Sequence, residues 1–124
     1  MTIHDQEIRS VVIGDDWPIE RTYKGAPTGT NINKATLTIK ENEGDADASA
    51  IAQIVITSAP SANGQITNTG AAGTVELKLT IPRADTTPMK ARPYAYDIRL
   101  EHSSGAKGPR EKGVVYPVAG VADA

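Results

Sequence analysis

The chain has no cysteine, no phenylalanine and only one tryptophan. Without cysteine it can form neither disulfide bonds nor thiolate metal sites, and cysteine usage gives no indication of its redox compartment. Without phenylalanine, the core has to be filled mainly by valine, isoleucine, leucine and alanine. β-Branched residues pack well on pleated, half-buried surfaces, so this composition, with eight prolines, favours an all-β protein.

An excess of charge of one sign is also lacking, since the formal net charge is −2 over 124 residues. Such a chain has no general attraction for nucleic acid or for anionic lipid. Its apolar runs are too short to span a bilayer, and Met1–Glu7 lacks the basic and apolar regions of a signal peptide. We therefore expect neither nucleic acid nor a membrane among its partners.

The clearest strand of the chain lies within Arg92–Glu101. Side chains on a strand alternate with period two, and this segment alternates between an apolar face and a polar face. The apolar face holds Tyr94, Tyr96, Ile98 and Leu100, and the polar face holds Ala95, Asp97, Arg99 and Glu101. In the corner of an immunoglobulin-like sandwich, a tyrosine near the start of strand F bonds to upstream backbone. We expect Asp85, Tyr94 and Tyr96 to form such a corner.

Turn-forming residues divide the chain into about eight short strands, the usual number for a sandwich. They are predicted at Ile8–Ile13, Trp17–Lys24, Lys34–Glu41, Gln53–Thr57, Gln65–Asn68, Thr74–Ile81, Tyr94–His102 and Glu111–Val118. The stretch before the fourth strand is compatible with a strand or with a helical turn capped by Asp45 or Asp47. Pro82 and Asp85 favour a single helical turn after the sixth strand.

Strands that follow one another without intervening helices favour an antiparallel arrangement over a βαβ fold. The sequence thus predicts an all-β, immunoglobulin-like antiparallel β-sandwich of about seven or eight strands. By length it is one domain. We expect an N-terminal arm at 1–7, the sandwich at 8–118 and a C-terminal tail at 119–124.

Residues that could carry catalysis do not form a motif. His4 and His102 lie far apart, and neither has a nucleophile and an orienting acid beside it in the sequence. The glycine-rich stretches lack the Lys-Ser/Thr pair that follows a phosphate-binding loop. We expect a protein that is not an enzyme and that needs no cofactor.

The acidic residues offer oxygen ligands for calcium but not the required spacing. A calcium loop needs a third ligand, a glycine and a distal glutamate beyond the short Asp45-x-Asp47 pair. Asp15 and Asp16 are better explained as turn residues whose carboxylates accept backbone N–H groups. No metal site is predicted.

Two further features have plain structural explanations. Lys107, Arg110 and Lys112 form a local basic patch on an acidic protein, which favours a solvated hairpin over a nucleic-acid site. Trp17 is the one candidate platform for a sugar ring, but a lone tryptophan in a sandwich is usually part of the core.

The order of the motifs resembles that of small tailed-bacteriophage virion proteins, which are related to the immunoglobulin-like N-terminal domain of baseplate upper proteins. The opening motif of these proteins, "Gly-Asp-x-aromatic", is similar to Gly14-Asp-Asp-Trp17. Their next motif, "Thr-Gly-Ala-x-Val/Leu" at the start of a strand, is similar to Asn33-Lys-Ala-Thr-Leu37. "Gly-x-Val-x-Leu-x-Leu-Thr… Asp-Thr" is matched by Gly73–Thr80 and Asp85-Thr86. "Tyr-x-Tyr-Asp-Ile-x-Leu… Gly" and a final "Gly-x-Val-x-Val" are matched by Tyr94–Leu100 with Gly105, and by Gly113–Val118.

This resemblance implies a structural, non-enzymatic protein of the virion, placed in the tail, neck, baseplate or fibre-attachment region. It implies docking to other virion proteins and to further copies of the chain, in a trimer- or hexamer-compatible assembly. Surface loops and chain ends are the expected docking surface, with Ile3, His4, Gly25, Thr28, Lys107 and Arg110 as candidates. The alternatives are a carbohydrate-binding module for host adhesion and a capsid decoration protein.

Overall fold

The computed structural model describes residues 2–45, 50–105 and 107–119, with the backbone alone at residues 2–5, 10, 107 and 109. Most of this part of the chain is extended, as its β-branched composition dictates. The strands are β1 Thr2–Val12, β2 Trp17–Lys24, β3 Ile32–Lys40, β4 Ala52–Thr57, β5 Gly64–Thr69, β6 Thr74–Ile81, β7 Tyr94–His102 and β8 Lys107–Val118. A single helical turn, α1 Arg83–Thr86, lies between β6 and β7.

The strands form two sheets. The larger sheet has the order β1-β8-β7-β3-β4, and the smaller sheet has the order β2-β6-β5. In immunoglobulin terms β2, β6 and β5 take the places of strands B, E and D, while β3, β7 and β8 take those of C, F and G. The prediction of an all-β, immunoglobulin-like sandwich of about eight strands is therefore confirmed.

One strand pair differs from the antiparallel expectation, because β1 runs parallel to β8 at one edge of the larger sheet. The other strand pairs within both sheets are antiparallel. The first strand has thus joined the sheet of the last strand instead of extending the smaller sheet beside β2.

The core lies between the sheets, and strand alternation builds it. In β4 and β6 every second side chain is buried, and β7 follows the same period except at Asp97, which is buried as well. The largest fully buried side chains are Trp17, Ile32, Leu37, Ile39, Ile56, Leu77, Leu79, Ile81, Ile98 and Leu100. No helix in the described ranges is long and apolar enough to cross a membrane.

Two strands begin several residues earlier than the sequence predicts. β1 begins at Thr2 rather than Ile8, so residues 2–7 continue a strand instead of forming an arm, with Thr2 in register with Arg110. β8 begins at Lys107 rather than Glu111. Both extensions depend on backbone hydrogen bonding to a neighbouring strand, which needs no apolar alternation and therefore leaves little trace in the sequence.

The remaining predictions either are confirmed or concern residues that the structure does not describe. The short strand expected near Gln65–Asn68 is present as β5, and the single turn after Pro82 is present as α1. The alternative helical turn before β4 falls mostly on residues 46–49, which lie outside the described residues. The expected tail at 119–124 likewise lies outside them, apart from Ala119.

Candidate functional site

The predicted corner forms where β7 begins. Tyr94 is buried, and its hydroxyl accepts a hydrogen bond from the backbone N–H of Lys90 at 2.8 Å. Tyr96 is also buried and points between the sheets, while Asp85 lies half-buried in α1. The Tyr94 hydroxyl thus bonds to upstream backbone, whereas Asp85 bonds through its backbone N–H to the Pro82 carbonyl beside α1.

Replacing Tyr94 with phenylalanine should lower the free energy of unfolding by about 1 kcal/mol, the net contribution of a typical hydrogen bond. The ring keeps its packing, and the Lys90 N–H loses its acceptor. Denaturant melts of the two proteins measure the difference. An unchanged midpoint would show that the corner bond contributes nothing.

The opening motif and the Asp85-Thr86 motif meet in space although they are far apart in sequence. Asp16 Oδ1 accepts the backbone N–H of Arg83 at 2.8 Å, which satisfies a free donor at the start of α1. The hydroxyl of Thr86, fully buried, donates to the Asp15 carbonyl at 2.8 Å and accepts from the Gly14 N–H at 3.2 Å. The β1–β2 turn is therefore bonded to the corner turn at one end of the sandwich.

Three loops meet at the opposite end. The Ala26 and Gly29 N–H groups of the β2–β3 loop donate to the carbonyls of Gly73 and Ala71, at 3.0 and 2.9 Å. The Ser103 N–H of the β7–β8 hairpin donates to the carbonyl of Asn31 at 3.0 Å. Two loops expected to carry the docking surface are thus joined to each other by backbone bonds.

The predicted docking residues do not lie together on one surface. Gly25 and Thr28 are exposed in the β2–β3 loop at this end. Arg110 does not lie in a loop, because β8 has already begun, and its side chain is on the outer face of the larger sheet. The side chains of Ile3, His4 and Lys107 lie outside the described residues.

The outer face of the larger sheet carries a charged cluster that surrounds Asp97. Asp97 was predicted to face water, but it is only 8% exposed. Arg110 Nη2 donates to its Oδ2 at 2.8 Å, and Arg99 Nε is 3.5 Å from its Oδ1. The arginines from the same and the neighbouring strand cover the carboxylate, which strand alternation alone does not reveal.

A cavity of about 160 Å³ adjoins this cluster and is lined in part by Thr38, Lys40, Asp97, Arg110 and Lys112. Lys40 Nζ donates to the carbonyl of Asp45 at 2.8 Å. Lys112 Nζ lies 3.5 Å from a Glu43 carboxylate oxygen. This surface therefore presents mostly paired charges.

A second charged cluster lies in the interior, where β2 faces β8. Glu111 is 3% exposed, and both of its oxygens accept from Arg21 Nε, at 3.0 and 3.1 Å. The Tyr23 hydroxyl donates to Oε1 at 3.0 Å, and the Tyr96 hydroxyl donates to Oε2. One carboxylate therefore joins the two sheets, because Arg21 and Tyr23 belong to one sheet and Tyr96 and Glu111 to the other.

The electrostatics of this interior cluster favour neutral tyrosines and a charged arginine. Burial, with the negative charge of Glu111, raises the pKa of Tyr23. Burial and the hydrogen bond to Glu111 raise the pKa of Tyr96. Burial disfavours the Arg21 cation, but attraction to Glu111 and hydrogen bonds to Tyr96 and Glu111 outweigh it, so the pKa of Arg21 is raised.

The raised tyrosine pKa values predict a loss of stability in alkali. A tyrosine in the unfolded chain ionises near pH 10, at about its ordinary pKa, whereas Tyr23 and Tyr96 in the folded chain keep their protons to higher pH. Their contribution is complete below that pH and is lost as the pH rises, since the unfolded state releases protons first. Denaturant melts at a series of alkaline pH values should show a shallower fall for the double variant Tyr23→Phe, Tyr96→Phe. Equal slopes for the two proteins would contradict the prediction.

Other features fit plain structural roles. Asp45 Oδ2 accepts the Asn42 N–H at 3.1 Å, as expected of a turn residue. Trp17 is buried and its Nε1 donates to the Val12 carbonyl at 2.7 Å, so it offers no platform for a sugar. Within residues 2–45, 50–105 and 107–119, no three acidic or histidine side chains gather as metal ligands.

The sequence missed Glu111 as an interior residue. Val114, Tyr116 and Val118 do share a face of β8, but it is the outer face, and Glu111, Val115 and Pro117 are the buried ones. Apolar residues occupy both parities of this strand, so alternation did not decide its orientation. The one indication in the sequence that an acidic residue lies in the interior was Arg21, which shares a face of β2 with Trp17. An arginine on that inward face needs an acidic partner that also points between the sheets.

Comparisons with known proteins gave a likeness among solved structures. No family model matches the chain, and no curated protein matches it. Among solved structures, the chain is similar to the natural killer cell receptor NKp44, described as a triggering partner in natural cytotoxicity. The two are 13% identical over 95% of this chain and 99% of that chain, with a TM-score of 0.48.

Proposed function

We propose that this chain is a structural, non-enzymatic virion protein of a tailed bacteriophage, in its tail, neck, baseplate or fibre-attachment region. It acts by docking to other virion proteins and to copies of itself in a trimer- or hexamer-compatible ring. Support comes from the order of its sequence motifs, which resembles that of such proteins. The meeting of Gly14–Trp17 with Asp85-Thr86 adds to this support, because two of those motifs join in one turn assembly.

The observation that carries the proposal is the connection of loops at the end opposite α1. Backbone hydrogen bonds join the β2–β3 loop to the β5–β6 loop and to the β7–β8 hairpin. Loops held in this way lose little conformational freedom when a partner binds, which lowers the cost of docking. Thr28 and Gly25 are exposed on this loop end and would meet the neighbouring protein.

The proposed mechanism is multivalent contact. A single loop end offers a small surface, so one contact is weak. In a symmetric ring the contacts form together, and each bound copy raises the effective concentration of the next, which increases avidity without new kinds of contact. The ionic cluster around Asp97, on the outer face of the larger sheet, would orient a neighbour rather than supply most of the affinity.

The test is incorporation of variants into particles that lack the native chain. Thr28→Arg places a bulky cation on the loop end, whereas Ala84→Arg places the same group on exposed α1 at the opposite end. We expect Thr28→Arg to lower incorporation by on the order of tenfold, as loss of a well-packed contact does, and Ala84→Arg to leave it unchanged. Equal incorporation of both variants would count against the loop end as the docking surface.

A further inference from the structure

Each sheet has two outer strands, and three of these four edges carry features that discourage pairing with another chain. β1 has register shifts at Ile3/Gln6 and Ile8/Val11. β5 has one at Ile66/Asn68. β2 contains a proline and several charged residues, since its sequence is WPIERTYK. Bulges, prolines and charges are the usual means by which an edge strand avoids pairing.

The fourth edge, β4, has none of these features. Its sequence, AQIVIT, has no charge and no proline, and it pairs with β3 without a register shift. Val55 points away from the core and is 39% exposed, although valine is strongly apolar. Among the described strands β4 pairs with β3 alone, so its other backbone edge offers hydrogen-bonding groups to an incoming strand.

We propose that the free edge of β4 pairs with β4 of a second copy of the chain, antiparallel about a twofold axis. The two five-stranded sheets then become one continuous sheet across the dimer. With the axis at Val55, this residue faces its own counterpart, and Gln53 faces Thr57 of the other copy. The exposed valines are buried against each other, as cross-strand β-branched pairs are.

The lack of charge favours a second copy as the occupant. Two identical strands that carried a net charge would repel each other when paired antiparallel, and β4 carries none. Antiparallel self-pairing also uses the same edge on both copies, so the assembly closes as a dimer and does not grow. This contact differs from the loop-end docking of the proposed function, because it uses a sheet edge and needs only the isolated chain.

The test measures the oligomeric state of the purified chain by sedimentation at several concentrations. We expect a monomer–dimer equilibrium for the wild type. Val55→Lys alone and Val55→Glu alone should each weaken dimerisation by on the order of tenfold, because like charges then lie opposite each other. An equimolar mixture of these two variants should restore the dimer, since opposite charges then face each other.

The controls separate this result from misfolding and from other interfaces. Thr22→Lys adds the same charge to an exposed position of β2 and should leave the dimer unchanged. Thermal melts should show that both Val55 variants remain folded, since the side chain is on the surface. A wild type that stays monomeric, a dimer insensitive to Val55→Lys, or a mixture that fails to recover would each overturn the proposal. None of these outcomes bears on incorporation into particles, which the Thr28→Arg comparison measures.

Discussion

Replacement of Glu111 with alanine is expected to lower the free energy of unfolding by about 3–5 kcal/mol, as loss of one partner of a buried ion pair does. The reason is that one carboxylate accepts from Arg21, Tyr23 and Tyr96 at once. Its removal leaves a partly buried guanidinium without its counter-charge and two interior hydroxyls without their acceptor. Urea-induced unfolding followed by circular dichroism measures the loss.

The matched control is Glu20→Ala. Glu20 lies one position before Arg21 on β2 and also forms an ion pair, with Lys78 Nζ at 3.6 Å, but both side chains are exposed. Exposed pairs contribute about 0–1 kcal/mol, so this variant should lose little. If Glu111→Ala were no less stable than Glu20→Ala, the interior cluster would not join the sheets energetically.

Gly113→Ala is also expected to destabilise the fold. An added Cβ would lie 2.0 Å from the Gln6 carbonyl oxygen and 2.9 Å from Tyr96 Cε1. Because β1 packs directly against this glycine, the backbone of one strand has to shift, at a cost of about 1–3 kcal/mol, as for other overpacked sites. Hydrogen exchange of the β1 amides should accelerate together with this loss.

Gly44→Ala is the control for that experiment. An added Cβ at Gly44 meets nothing within 4 Å. It should therefore leave both stability and the exchange of β1 unchanged. Normal protection of β1 in Gly113→Ala would contradict the close packing of β1 on β8.

Much of the fold could be predicted because strand alternation is a local signal. The β6 segment alternates without interruption, and its predicted bounds, Thr74–Ile81, are those of the structure. The same holds for Trp17–Lys24 and Tyr94–His102. The starts of β1 and β8 were predicted wrongly, because backbone hydrogen bonds extend these strands where the side chains show no apolar alternation.

The candidate site could be predicted only in part, because its contacts join residues distant in sequence. Asp16 was expected to accept a backbone N–H within its own turn, but the donor is Arg83 in α1. Asp97 is on the predicted face of β7, yet Arg110 and Arg99 cover it. The alternation of side chains along a strand predicts neither the donor to Asp16 nor the arginines that bury Asp97. Both depend on which segments lie next to each other in the fold.

The resemblance to phage virion proteins and the geometry of the loop end bear on different properties of the protein. The resemblance suggests where the protein works, and the loops suggest which surface it uses. The β4 edge adds a self-contact that belongs to the isolated chain. The virion role, the loop-end surface and the β4 contact can therefore each be tested separately.

The most direct test of the proposed virion role is quantitative mass spectrometry of purified phage particles and of the lysate that produced them. We expect the chain in the particles at a fixed copy number that matches a threefold or sixfold ring. Absence of the chain from purified particles, with its presence only in the lysate, would contradict this role.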